Sequence, residues 1–338
     1  MSKDYFNLYA NCVVVKGASE SLIVDFQNSH FYNIPNLLSE ILLHCNNLKI
    51  NDVKKIYKNE YDKGIDKYLN ELIRLEIGFF LDDPEEFPKL SMYWDNPSEI
   101  QTSVIEINGT KPYDYINVIE QLCDLGCNVI QIRIVNFCSE DILFSIHNKL
   151  KSSRIKYIEY VIHSQIFDID FTKFFFYENN RIFRFIVHGT QKEDFSKDNL
   201  NLQIKDWQLV FITEEIHPDS KDLISKKSFC PSLDFFTEAQ SHNPSLNRKI
   251  SIDRFGSIKN YLSHEKIYGN IQIDKLSTII KTEQFTSMWY INNDSIEVCK
   301  ECQYRYICFS NSDIEEKNNT FYKKQMCNFN PQTNQWVE

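Results

Sequence analysis

The stretch Cys299-Lys-Glu-Cys302-Gln-Tyr-Arg-Tyr-Ile-Cys308, together with the later Cys327, has the spacing C-x2-C-x5-C-x18-C. Two cysteines three residues apart can hold one metal centre in a tight turn, with backbone amides directed at the sulfurs, and two more thiolates complete a four-sulfur site. Disulfides, or buried cysteines that pack as small apolar residues, are the alternatives. The polar neighbours that argue against a core segment are Lys300, Glu301, Gln303 and Arg305. The stretch therefore predicts a metal site, with zinc and a [4Fe-4S] cluster both open.

The composition predicts a soluble globular chain. Its 338 residues are 42% hydrophobic and 25% charged, and no apolar run approaches the roughly 20 residues of a membrane span. The opening Met1-Ser-Lys-Asp-Tyr5 lacks the apolar region of a secretory signal. Ten cysteines in such a chain are expected as thiols or metal ligands in a reducing cytoplasm. The net charge of −10 disfavours nucleic-acid partners, whose phosphates would be repelled, and no membrane partner is expected.

The cysteine pattern resembles the SPASM domain, the cysteine-rich extension of radical-SAM peptide-modifying enzymes. The whole chain is similar to the SPASM-domain peptide maturases of grasp-with-spasm, graspetide-type ribosomal-peptide systems. This resemblance implies two partners, a short ribosomal precursor peptide and an ATP-grasp ligase. It also implies two auxiliary clusters, of which the outer one would be held by Cys299, Cys302, Cys308 and Cys327.

The inner cluster of that family pattern has no ligands in this sequence. Ser312 stands where the pattern needs a cysteine shortly after Cys308, and Tyr261 stands where it needs one after the hairpin glycine Gly256. The segment before Gly256 that should supply a third cysteine holds none. Because all three cysteines of the inner cluster are missing from the sequence, only one metal centre is expected.

Residues 1–88 predict a small unit of three strands followed by three helices. The third helix has the clearest apolar period, with Ile65, Leu69 and Leu72 on one face. Residues 78–81 are expected as a returning strand, and the acidic, proline-broken residues 82–88 as a linker. The other strands are predicted at residues 12–15, 21–26 and 31–34, and the helices at residues 37–44, 51–57 and 61–76.

This order of elements resembles the winged-helix, PqqD-like recognition domain of ribosomal-peptide maturation systems. The resemblance implies that a leader peptide adds a strand to the exposed edge of the third strand, against the third helix. The same side chains can instead be the core of the unit, and acidic residues along the third helix disfavour DNA. The candidate peptide contacts are Phe31, Tyr32, Ile34, Tyr68 and Leu72.

Residues 100–228 alternate predicted strands and helices. Repeated strand–helix units predict an α/β fold with a parallel sheet, and the resemblance implies a degenerate, partial (β/α) radical-SAM-like barrel. Residues 229–338 are then the SPASM domain, with a hairpin around Gly256, a helix over 275–282 and a polar loop over 313–319. The strands of the middle region are predicted at residues 104–107, 129–135, 155–162, 182–187 and 207–212, and its helices at residues 113–125 and 139–150.

A radical-SAM barrel carries C-x3-C-x2-C in the loop after its first strand, and this chain does not. The corresponding loop, residues 108–114, has no cysteine, and Cys123 and Cys127 lack a third partner because Ile130 stands there. Without three thiolates no cluster leaves an iron free, so no S-adenosylmethionine is expected. His163 and His188 follow predicted strands at the end where β/α proteins place their sites, either as site residues or as satisfied hydrogen-bonding histidines.

Two functions follow from the resemblance. The first is an accessory peptide-maturation factor that binds the precursor peptide and supports its modification by the ATP-grasp ligase, without catalytic residues of its own. The second is a redox enzyme that modifies the peptide through its single auxiliary iron–sulfur cluster. A shell closed by four thiolates favours structure or electron transfer over substrate activation. A metal-stabilised adaptor unrelated to peptides is a third class.

Overall fold

The computed structural model describes residues 4–46, 48–110, 113–191, 205, 207–217, 224–225, 228–325 and 327–336. Its N-terminal part contains an antiparallel meander, three helices and a separate pair of strands. In chain order the elements are β1 (Tyr5–Leu8), β2 (Cys12–Val15), β3 (Glu20–Asp25), β4 (His30–Pro35), α1 (Asn36–Cys45), α2 (Ile50–Ile56), α3 (Asp62–Arg74) and β5 (Gly78–Leu81).

The three predicted strands and the three helices of this part are confirmed. The strand order β2-β3-β4 leaves β2 and β4 at the two edges of the meander. β5, expected as a returning strand, pairs antiparallel with β1, which the sequence did not predict. The apolar face of α3 is buried as the periodicity requires, because Ile65, Leu69 and Leu72 pack into one core with Phe6 and Ile34.

The middle of the chain forms one large sheet with helices between its parallel strands. The sheet order is β10-β9-β8-β7-β6-β11-β12-β13; pairing is parallel from β10 to β11, and antiparallel between β11, β12 and β13. The elements are β6 (Thr102–Ile107), α4 (Tyr115–Asp124), β7 (Val129–Ile134), α5 (Glu140–Lys151), β8 (Tyr157–His163), α6 (Ile169–Glu178), β9 (Ile182–His188), β10 (Leu209–Phe211), α7 (Leu233–Ala239), β11 (Lys249–Ile252), β12 (Ser257–Lys259) and β13 (Gly269–Asn270).

The predicted α/β class and the predicted strands are confirmed, and two features of the middle region were not foreseen. The helix α6 was missed, and the predicted hairpin around Gly256 extends the central sheet, since β11 pairs with β6. The two faces of the sheet differ. One packs an apolar core against the helices. The other carries polar and charged side chains at alternate residues, as the two-residue period of a strand requires; they include Glu106, Arg133, Glu159, Arg184 and His188.

The C-terminal part consists of short elements that surround the cysteines. The polar loop predicted over 313–319 is wrong, because two strands form a hairpin there whose turn residues Asn318 and Asn319 have φ of 53° and 60°. The predicted helix over 275–282 is shorter than expected. None of the helices within the described ranges is long and apolar enough to span a bilayer. The remaining elements are α8 (Leu276–Ile279), α9 (Glu283–Thr286), β14 (Ile314–Lys317), β15 (Thr320–Lys323), β16 (Phe329–Asn330) and β17 (Gln335–Trp336).

Candidate functional site

The cysteine-rich segment is docked on the N-terminal meander through the turn that joins β2 to β3. The amide of Ala18 donates to the carbonyl oxygen of Glu301 at 2.8 Å. Gly17 lies against Gln303 so closely that a Cβ at position 17 would stand 2.9 Å from the Gln303 amide nitrogen. The absence of a side chain at Gly17 therefore permits the approach of the two backbones.

Side chains extend this interface onto the face of β4. The Arg305 guanidinium donates to the Lys16 carbonyl oxygen at 2.6 Å. The Asn33 side-chain amide and the Tyr304 hydroxyl are 3.0 Å apart, and the Tyr304 and Phe31 rings meet edge to face with centroids 5.8 Å apart. The N-terminal unit and the C-x2-C-x5-C segment thus share one packed contact.

The four predicted ligands are near enough to one another for their charges to interact. The pKa of the Cys302 thiol is raised by burial and further by the neighbouring Cys308, Cys299 and Cys327. Burial alone would lower the pKa of the Lys323 ammonium, but the charges of all four cysteines raise it, and the net shift is upward. Lys323, on the second strand of the β14–β15 hairpin, therefore lies near enough to the four cysteines for its charge to interact with theirs.

Two of these sulfurs accept hydrogen bonds from the backbone amide two residues later in the chain. The amide of Phe329 donates to Cys327 Sγ at 3.5 Å, and the amide of Tyr304 donates to Cys302. Such amide–sulfur bonds stabilise negative charge on a thiolate, which is the form that binds metal.

The four cysteine thiols are suitable ligands for a metal centre, although their side chains are not arranged in a coordination geometry. All ten cysteines are free thiols, so the disulfide alternative is not seen. Within the described ranges no group of three or more His, Cys, Asp or Glu side chains is arranged as a metal site. Four soft sulfurs with amide hydrogen bonds match the chemistry of zinc or an iron–sulfur cluster, and metal binding by the four cysteines stays a prediction.

The residue immediately before the first of these cysteines has a strained backbone. Val298 has φ of 69° and ψ of −48° and is half-exposed. A β-branched residue rarely adopts positive φ, and such a conformation costs on the order of 1–3 kcal/mol. The fold therefore holds the entry to the Cys299 turn in a conformation that the local sequence does not favour.

The five predicted peptide contacts do not share one surface. Ile34 and Leu72 are buried in the N-terminal core, and Tyr32 and Tyr68 pack against that core while remaining partly exposed. Phe31 lies on the opposite face of β4, where its ring meets the Phe229 ring edge to face at 5.6 Å. β4 itself is an edge strand, and among the described residues its backbone pairs only with β3.

A second cluster of polar side chains lies at the carboxyl end of the central sheet. A cavity of about 300 Å³ is lined there by Glu106, Arg133, His163, His188 and Glu215. His163 and His188 end adjacent strands, and their rings lie edge to face with centroids 5.0 Å apart. The sequence pointed to the two histidines only; the signal for Glu106 and Arg133 was a single charge within an otherwise apolar strand run.

Matches to known proteins come from solved structures. No family model matches the chain, and no curated protein matches it. Solved structures of SuiB from Streptococcus suis align with 95% of this chain and 99% of their own, at 14% identity. The chain is similar to SuiB. The TM-score is 0.35 for SuiB bound to S-adenosylmethionine, and 0.36 both for SuiB bound to its precursor peptide SuiA and for SuiB alone.

Proposed function

We propose that this protein is an accessory peptide-maturation factor. It binds a ribosomally made precursor peptide and supports modification of that peptide by a partner ATP-grasp ligase, without radical-SAM catalysis of its own. The observation that carries the proposal is the edge strand β4, whose two faces join the N-terminal helices to the cysteine-rich segment.

An edge strand offers unpaired amides and carbonyls to an extended peptide, and neighbouring side chains supply selectivity. Beside β4, the partly exposed Tyr32 and Tyr68 present aromatic surface from the strand and from α3. Ile34 and Leu72, which are buried, would shape the site from below. A leader peptide paired with β4 would therefore lie against the helices, as the resemblance to PqqD-like domains implies.

The four cysteines complete the proposal as a single metal centre. Cys299, Cys302, Cys308 and Cys327 would hold zinc or a [4Fe-4S] cluster, and the bound group would crosslink a segment that has little other regular structure. Because this segment packs on β4 through Tyr304, the metal would also fix the shape of the peptide-binding part. The family's radical chemistry needs a C-x3-C-x2-C loop, and the residues after β6 contain no cysteine.

The proposal is tested by fluorescence anisotropy with synthetic peptides encoded by the short reading frames beside this gene. We expect one peptide to bind the full-length protein, and Tyr32→Ala or Tyr68→Ala to weaken its binding at least tenfold. Tyr177→Ala is the matched control, because Tyr177 is 80% exposed on α6 and distant in sequence from the N-terminal unit. If none of these peptides binds, leader recognition is wrong. Cleavage of S-adenosylmethionine by the purified protein would overturn the non-catalytic role.

A further inference from the structure

The cavity at the carboxyl end of the central sheet has the features of a ligand site, and it lies apart from both β4 and the four cysteines. Strand pairing sets its side chains side by side. Glu106 of β6 is opposite Arg133 of β7, and His163 of β8 is opposite His188 of β9. Ligand sites of parallel α/β sheets occur at this end of the strands.

Arg133 is held in place by a chain of hydrogen bonds across the polar face of the sheet. Its Nε donates to the Gln131 side chain at 2.5 Å, and its Nη2 donates to the Tyr261 hydroxyl at 2.8 Å. Gln131 in turn donates to Glu159, which also accepts from Arg184 at 2.6 Å. Among the described residues, Nη1 of Arg133 has no such partner. The guanidinium is therefore positioned on two sides and keeps donors for a ligand in the cavity.

The two histidines are fixed in the tautomer that carries hydrogen on Nε2. The amide of Gln165 donates to His163 Nδ1 at 3.1 Å, and the amide of Ile216 donates to His188 Nδ1 at 3.2 Å. Because each Nδ1 lone pair is occupied, the proton of the neutral ring lies on Nε2. Glycine at position 189 makes room for this arrangement, since a Cβ there would lie 2.7 Å from His163 Nε2.

This tautomer argues against a metal ion at the two rings, because a metal needs an unprotonated ring nitrogen. The pKa of His188 is lowered to about 4, mainly by burial and also by the neighbouring His163, His217 and Arg133, whereas Glu215 opposes the shift. At neutral pH the His188 ring therefore acts as an uncharged N–H donor beside the Arg133 guanidinium.

One oxygen of the Glu106 carboxyl group lacks a hydrogen-bond partner among the described residues. Its side chain is 1% exposed, Oε2 accepts the Arg254 amide at 2.8 Å, and Oε1 has no hydrogen-bond partner among the described residues. An unpaired buried carboxyl oxygen is costly unless something binds it. Burial raises the pKa of Glu106, despite the opposing Arg254 amide and the charges of Arg254 and Arg133.

We propose that this cavity binds a carboxylate group, either of a free small acid or of an acidic side chain in a peptide. The carboxylate would accept hydrogen bonds from Arg133 Nη1 and from the Nε2–H groups of His188 and His163. One guanidinium beside the neutral His188 donor matches a single negative charge. Glu215 stands at the same cavity, with Oε1 3.9 Å from His163 Nε2 and Oε2 3.3 Å from His217 Nε2. Because this carboxylate already brings a negative charge, a dianion such as phosphate is disfavoured.

The test is titration calorimetry of the full-length protein with three probes. They are acetate, N-acetylglutamate N-methylamide as a blocked acidic residue, and the corresponding blocked glutamine. We expect the carboxylates to bind and the glutamine derivative to bind at least tenfold more weakly. Equal affinity for acetate and the blocked glutamate would indicate a free small acid, and at least tenfold tighter binding of the blocked glutamate would indicate a peptide side chain.

Variants and a spectrum of the wild-type protein make the test specific. His188→Gln and Arg133→Gln should each weaken carboxylate binding at least tenfold, while His242→Gln, which lies against Trp94 and not at the cavity, should leave it unchanged. Nitrogen-15 spectra of the histidines should show Nε2–H tautomers for His163 and His188, a readout that needs no variant. The proposal is overturned by no carboxylate binding, by equal binding of the glutamine derivative, by unaffected variants, or by zinc that displaces the Nε2 protons.

Discussion

Replacing Glu238 with glutamine should stabilise the protein in a strongly pH-dependent way. Glu238 lies on α7 with 6% of its surface exposed, and its Oε1 accepts a hydrogen bond from the Asn247 side chain at 2.8 Å. Burial raises the pKa of this carboxyl from 4.5 to about 7, and that hydrogen bond opposes the rise. The folded state thus prefers the protonated form, whereas the unfolded chain ionises near 4.5.

The size and sign of the effect follow from this difference in pKa. The stability that protonated Glu238 provides is complete below pH 4.5 and is lost as the pH rises through 7. One pKa unit corresponds to about 1.4 kcal/mol, so ionisation of Glu238 lowers the free energy of unfolding by about 3 kcal/mol at pH 8. Glutamine keeps a carbonyl oxygen for Asn247 and carries no charge. Glu238→Gln should therefore be more stable than wild type by about 3 kcal/mol at pH 8, and by less than about 1 kcal/mol at pH 5.

The assay is urea unfolding followed by circular dichroism at both pH values. Glu283→Gln, an exposed glutamate at the start of α9, is the matched control and should change stability little at either pH. An equal effect of Glu238→Gln at pH 5 and pH 8, or destabilisation at pH 8, would show that Glu238 is not buried as described.

Three further substitutions test close packing, backbone strain and the burial of a histidine. Gly17→Ala should destabilise by about 1–3 kcal/mol, because the added methyl group meets the Glu20 carbonyl oxygen and the backbone of Gln303. Chemical unfolding beside the exposed Ser19→Ala measures the loss, and an unchanged midpoint would contradict these close approaches. Val298→Gly should raise stability by about 1 kcal/mol by relieving the positive φ, and a loss of stability in the same assay would refute the strain. The His147 ring stacks on a phenylalanine, both its nitrogens are buried without partners, and burial lowers its pKa to about 4. His147→Leu should therefore melt at a higher temperature than wild type at pH 5. The difference between the two melting temperatures should be smaller at pH 8, and thermal melts at both pH values measure it.

The elements with a strong periodic pattern were predictable from the sequence. The parallel strands read as apolar runs between helices, and α3 showed its buried face directly. The helix α6 was missed because its sequence, IDFTKFFFYE, is rich in aromatic residues that are typical of strands. The β14–β15 hairpin was missed although Asn318-Asn319 is a turn signal, because its strands are polar and short.

The candidate sites were predictable to different degrees. The cysteine spacing singled out four thiols whose charges interact in the structure, because ligand spacing is a local property of the sequence, and their joint binding of a metal stays a prediction. The docking of Gly17 on Gln303 depends on residues far apart in the chain, and no local pattern encodes it. The same is true of the carboxylate-binding cavity, where Arg133 and Glu106 meet His188 only through the strand order of the sheet.

The most direct test of the account is the metal content of full-length protein purified without air. We expect one centre per chain, measured either as one zinc or as about four irons with the absorption of a [4Fe-4S] cluster, and we expect Cys308→Ser to lose it. Cys138→Ser is the matched control, since Cys138 is buried in the core of the central sheet, and it should retain the metal. A chain without metal, a chain with two or more centres, or a Cys308→Ser variant that keeps its metal would contradict the account.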